Sequence, residues 1–106
     1  MRRAKVYRNK IFAGILSEID DVGYEFTYDS AYFNDRSQPG ISLTIPKTKL
    51  THTSEHLFPF FYNMLSEGTN RVVQSKLLKI DERDFFGLLL ATAKYDTIGA
   101  ITVKKI

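Results

Sequence analysis

His52 and His56 stand at an i, i+4 spacing, at which two imidazoles on one helix face could chelate a metal ion. Thr53-Ser54 between them reads as a helix start rather than a helix middle, and no third ligand suggests itself, so both histidines are assigned to a surface loop. Asp81, Glu82 and Asp84 form the other dense group of titratable side chains. Paired carboxylates can do acid–base work. Just ahead of an apolar helical run, however, acids serve the free N–H groups and the positive end of the helix dipole. Ser66 has no G-x-S-x-G setting and no assignable His–Asp pair. Cysteine is absent, which excludes thiol catalysis, disulfides and cysteine-based zinc sites.

Lys104 follows Ala100-Ile101-Thr102-Val103, a strand lysine of the kind that holds ATP in protein kinases. The glycine-rich loop, the catalytic-loop Asp and Asn, and the metal-binding Asp-Phe-Gly of a kinase are all missing. The expectation is therefore a protein that is not an enzyme, with no catalytic residues, metal or cofactor. What remains is Leu57-Phe58-Pro59-Phe60-Phe61-Tyr62-Asn63-Met64-Leu65. If Pro59 opens a helix, side chains leave its axis about 100° apart, giving three apolar stripes: Phe58 with Tyr62, Phe61 with Leu65, and Phe60 with Met64. A small domain can bury two of them. The surplus predicts a protein partner, with Pro59 and the run Phe60 to Met64 as apolar anchors and Glu67, Asn70 and Arg71 as a polar rim.

The elements that must carry this surface follow from periodicity. Ala4 to Arg8 and Ile11 to Glu18 are β-rich runs split by Asn9-Lys10, a two-residue hairpin turn. Asp20-Asp21 marks a second turn, and Val22, Tyr24, Phe26 and Tyr28 alternate toward the core in a third strand. A helical turn capped by Asp29 or Ser30 follows, then a loop over 34–40. Ile41 to Ile45 alternates as a short strand stopped by Pro46, and 47–54 reads as polar loop. Helix one covers Leu57 to Leu65, and Gly68 suits the left-handed residue that ends it. Thr69 or Asn70 caps helix two, whose Val73, Leu77 and Ile80 form an i, i+4, i+7 stripe. Helix three starts after Asp81 or Asp84 and is apolar on several sides, as a buried helix is. Thr97 to Val103 returns as a last strand. The pattern predicts one α+β domain over residues 1–106: a small, mostly antiparallel sheet, an N-terminal meander plus a C-terminal strand, with about three helices packed on it.

The 106 residues suffice for a real core, and 43% hydrophobic with 25% charged residues is an ordinary globular composition. Lack of cysteine fits a reducing cytoplasm, and the longest apolar run, Phe85 to Ala91, is far short of the roughly 20 residues that span a bilayer. The net charge is +3, and Arg2, Arg3, Lys5, Arg8, Lys10, Lys104 and Lys105 gather at the two chain ends. If the first and last strands are neighbours these become one basic rim, which protects a sheet edge or meets nucleic acid, with Arg2, Arg3 and Lys5 as candidate contacts.

The run Ile41-Ser42-Leu43-Thr44-Ile45-Pro46 followed by Leu57 to Gly68 resembles the N-terminal subdomain of HipA-type serine/threonine kinases, with its "P-x-S-L-x-L-P" and "F-P-F-F-x-x-L-L-P-E-G" signatures. Asp84 to Ala91, Ile98-Gly99-Ala100-Ile101, Ala4 to Tyr7 and Gly14-Ile15-Leu16 extend the likeness over nearly the whole chain. Lacking a kinase core, the chain is similar to HipS, the separate small component of HipB–HipS–HipT toxin–antitoxin systems. The resemblance implies an antitoxin that restrains a HipT- or HipA-like kinase in trans, with a HipB-like DNA-binding protein as a further partner. Together with the aromatic surplus of helix one, it makes Phe60, Phe61, Met64, Glu67, Thr69, Asn70 and Arg71 the expected contact residues. Ser66 replaces the usual proline, and Thr69 stands where many relatives carry a bulky aromatic, so other contacts must replace that ring. Two further readings stay open: a structural complement needed for folding or activity of a split kinase, and a small basic nucleic-acid-binding protein.

Overall fold

The computed structural model describes residues 2–19, 23–65, 68–92 and 101–106, leaving the side chains of residues 68 and 69 aside. Strands β1 (Arg3–Arg8), β2 (Ile11–Ile19) and β3 (Gly23–Tyr28) form the expected meander. Asn9 and Lys10 both take positive φ, 50° and 68°, which makes the first turn one whose twist matches the strands it joins. The Asp20-Asp21 turn, Val22 and residues 97–100 lie outside the described residues. Strand β5 (Ile101–Lys105) pairs antiparallel with β1, so first and last strands are neighbours. Strand β4 (Thr51–Ser54) adds to the far side, giving the antiparallel order β4-β3-β2-β1-β5.

A β-bulge shapes the centre of the sheet. Val6 faces Gly14 but Tyr7 faces Phe12, so Ala13 is left over. Its carbonyl accepts the Asp29 N–H at 2.8 Å, and Asp29 then caps α1 (Ser30–Asn34) by accepting from the Tyr32 N–H. A side chain at Gly14 would run into the Thr27 carbonyl and the Phe26 ring, which is why that position carries none.

One expected strand is a turn. Between Ile41 and Ile45 there is only an isolated Ser42–Ile45 bridge, and β4 forms instead within the segment read as polar loop. The alternation was real but had another cause. Ile41 and Ile45 are the buried ends of a tight turn hung on one phenol: the Tyr28 hydroxyl donates to the Ile45 carbonyl and accepts the Ile41 N–H at 3.1 Å. Burial pushes the Tyr28 phenol up. In β4 the exposed threonines suit an edge strand, and its inward residue is His52. The imidazole Nε2 bonds the Pro46 carbonyl at 2.8 Å, while His56 is exposed beyond the strand.

Among the described residues four helices are present, α1 being the short turn expected after β3. Helix α2 (Pro59–Tyr62) is shorter than expected, with proline in its first turn. Gly68 does not end a helix; it begins α3 (Gly68–Leu78), so neither Thr69 nor Asn70 is its cap. The left-handed terminator is Lys79, at φ 57°. Lys79 N–H donates to Lys76 O and Ile80 N–H to Ser75 O, the paired bonds of a Schellman motif. Helix α4 (Phe85–Thr92) is capped by Asp84, whose Oδ1 accepts the Gly87 N–H at 3.0 Å. Phe86, Leu88 and Leu89 of α4 join Ala4, Val6, Leu16, Phe26 and Val103 of the sheet, and Phe61 of α2, in one core on one face.

Candidate partner-docking surface

Helix α2 leaves less surface than its composition suggests. Phe61 is fully buried, with ring centroids 6.2 Å from Phe26 and 6.3 Å from Phe58, so it is a core residue and not an anchor for a partner. Phe58 and Leu65 are buried as well, whereas Phe60 and Met64 are half-buried against the same core. Tyr62 is the ring that reaches solvent. It stacks edge-on to Phe85 at 5.2 Å, and Arg71 donates to its hydroxyl at 3.0 Å while lying over both rings. Arg71 thus ties α2, α3 and α4 together, and its stem and charge are largely used inside the domain.

Helix α3 holds the surface that α2 does not. Its buried residue is Ser75, whose hydroxyl donates to the Val72 carbonyl at 2.7 Å. Three of its aliphatic residues face out: Val73 is 49% and Leu77 78% exposed, with Leu78 also exposed, whereas Val72 is half-buried. The stripe Val73, Leu77, Ile80 therefore does not line the core as its spacing suggests; only Ile80, beyond the helix end, packs inward. Asn70, at i−3 from Val73 and i−7 from Leu77, extends the exposed stripe by a turn. Of the seven residues assigned to the interface from sequence, Asn70 lies on this face and Arg71 beside it, whereas Phe60 and Met64 are half-buried against the core and Phe61 is buried within it. Glu67 and the Thr69 side chain lie outside the described residues. Sequence reading missed Val73 and Leu77. A helix with valines and leucines spread around its circumference does not reveal which side is wet.

A second exposed feature is Leu43, 99% exposed at the apex of the turn that Tyr28 holds. Arg8, Pro39, Ser42 and Lys47 border the shallow depression beside it, and Lys47 donates to the Asp35 and Gln38 carbonyls.

At the start of α4, Arg2 is withdrawn from the basic rim. Its guanidinium pairs with Glu18 at 2.8 Å and with Asp84 at 2.7 Å and lies 5.3 Å from the Phe86 ring centroid. Hydrogen bonds from Arg2 hold the Asp84 carboxyl below the usual carboxylate range. Arg2 is a clamp between β1, β2 and α4, which corrects its assignment as a nucleic-acid contact; Arg3 and Lys5 remain exposed. No helix among the described residues is long and apolar enough to cross a membrane.

These features define an α+β domain whose helices cover one face of an antiparallel sheet and whose α3 keeps an apolar stripe uncovered. The chain belongs to the HipA N-terminal domain family, whose model matches residues 4–104. It is similar in structure to the N-terminal domain of HipA toxin, with a TM-score of 0.74 and 28% identity, over 100% of this chain and 93% of that one. It is also 30% identical, over 99% of its own length and 93% of the relative's, to an uncharacterized protein of Haemophilus influenzae. Family membership fits a toxin–antitoxin context.

Proposed function

We propose that this protein is a non-catalytic antitoxin subunit that binds a HipT- or HipA-like serine/threonine kinase in trans and inhibits it in the cytoplasm. The observation that carries this reading is the inverted helix: α3 buries Ser75 and presents Val73 and Leu77 to solvent. Covering two such side chains contributes roughly 1–2 kcal/mol each, in the range of residues that dominate an interface. The kinase meets the Asn70–Val73–Leu77 stripe, beside Arg71 held in place by Tyr62 and Phe85. The Haemophilus influenzae relative supports a freestanding role, because this chain accounts for 93% of its length. A HipB-like protein can join through surfaces that the kinase leaves free.

The test is to mix purified kinase with increasing amounts of this protein and follow phosphorylation, alongside coexpression and growth. Inhibition and rescued growth support the reading. Unchanged activity at saturation rejects it, and increased toxicity makes the chain a complement that the split kinase requires.

A further inference from the structure

The face of the sheet opposite the helices carries its own pattern. Cross-strand register aligns Lys104, Lys5, Ile15, Thr27 and Thr51 in one row across all five strands. The row on one side holds Thr102, Tyr7 and Phe12, and the row on the other Arg3, Ser17, Glu25 and Thr53. Arg3, Lys5 and Lys104 are exposed, and Tyr7 and Phe12 are half-exposed with ring centroids 5.7 Å apart. Lys104 Nζ lies 5.4 Å from the Tyr7 ring centroid, so cations and aromatics share one surface. Glu25 is the acid of these rows, two strands away from β1.

Lys5 and Lys104 are direct cross-strand partners, an arrangement that like charges disfavour. Shielding of an edge strand needs a lysine only on β5, whereas Lys5 and Arg3 lie on β1, inside the sheet. An anionic ligand that lies across both strands relieves the repulsion. Tyr7 and Phe12, in the row next to Lys5 and Lys104, supply π-faces for flat rings. Phosphates spaced along a chain whose bases are unpaired satisfy both demands, and a duplex, whose base faces are stacked away, satisfies only one.

We infer that the β5–β1–β2 part of the outer sheet face binds single-stranded nucleic acid, with Arg3, Lys5 and Lys104 on phosphates and Tyr7 and Phe12 stacking on bases. The site is separate from α3 and does not depend on kinase binding. The experiment titrates the full chain into a labelled oligothymidine and follows fluorescence anisotropy over a range of salt. Three phosphate contacts give a log–log salt slope of roughly −2. The double variant K5E/K104E loses at least about tenfold in affinity and flattens that slope. Tyr7→Ala and Phe12→Ala each lose about five- to tenfold with the slope unchanged. Circular dichroism reports folding; because Lys5 and Lys104 are exposed, the charge-reversed chain retains its fold and decides the matter if the aromatic variants do not. Leu77→Asp on α3 leaves oligonucleotide affinity unchanged, which separates this site from the kinase reading. Absence of saturable binding near physiological salt overturns the inference, as does equal affinity of K5E/K104E or of a duplex. If K5E/K104E instead abolishes kinase binding while no oligonucleotide binds, the face is a protein contact and the inference is rejected.

Discussion

Helices α3 and α4 are neighbours in the chain and use opposite rules. Helix α4 sinks Phe86, Leu88 and Leu89 into the core and is pinned at its start by Asp84 and Arg2. Helix α3 sinks a serine, shows Val73 and Leu77 to water, and ends on a lysine in a backbone conformation better suited to glycine. One helix is built for the stability of the free chain. The other, on the proposed reading, is completed by contact with the kinase. Substitutions that matter for folding therefore belong on α4, and those that matter for a partner belong on α3.

The sharpest way to break this contrast is Phe86→Ala. Phe86 is fully buried, stacks on Tyr24 at 6.1 Å and lies beneath the Arg2 guanidinium. Its removal costs about 3–5 kcal/mol in urea unfolding, a large share of the stability of a domain this size. A loss under about 1 kcal/mol would mean that α4 is not the structural helix.

Arg2→Ala comes next, at about 1–2 kcal/mol, because the pairs with Glu18 and Asp84 are only partly shielded from water. Lys in its place recovers little, since it cannot form the two-pronged contacts. The Asp84 carboxyl is held below its unfolded value by Arg2, so its contribution is present above about pH 4 and is lost as pH falls through the depressed folded value. Urea midpoints should therefore drop on acidification below about pH 4. They should drop less in the Arg2→Ala background, where the carboxyl has lost its partner.

How much of this was legible depended on how local each cause was. The Asn9-Lys10 hairpin, the inward Tyr24, Phe26 and Tyr28, and the Asp84 cap follow from neighbours in sequence, and the structure shows all of them. The Arg2 clamp did not, since Glu18 and Asp84 lie 16 and 82 residues away. Alternation at Ile41, Leu43 and Ile45 could not separate a strand from a turn with two buried ends, because the deciding group is the Tyr28 hydroxyl. At Phe61 the aromatic density of α2 was read as surplus, but the core had room for it against Phe26. The exposed apolar surface lies one helix further along, on α3. It was hidden because a serine inward and a leucine outward reverse the rule used to choose a face.

Lys79→Gly sharpens the contrast from the side of α3. Lysine at φ 57° costs the free chain what glycine would not, so the variant should be stabilised by about 1 kcal/mol, with Tm rising by a few degrees. Loss of stability would mean that the Lys79 side chain supports the helix end in a way the Schellman bonds do not require.

The smallest effect on the free chain is expected at Leu77, and its smallness is what separates a partner-facing side chain from a core one. A side chain 78% exposed has little packing to lose, so Leu77→Ser should shift the urea midpoint by no more than about 0.5 kcal/mol equivalent. The same change should weaken the complex with the kinase at least about tenfold, because the leucine is buried only there. A stability loss comparable to that of Phe86→Ala would place Leu77 in the core and remove the contrast. An unchanged affinity with unchanged stability would leave α3 without its partner, and the inverted helix would need another occupant. Measuring both quantities on one variant distinguishes these outcomes, since a helix that serves the fold and a helix that serves a partner cannot give the same pair of numbers.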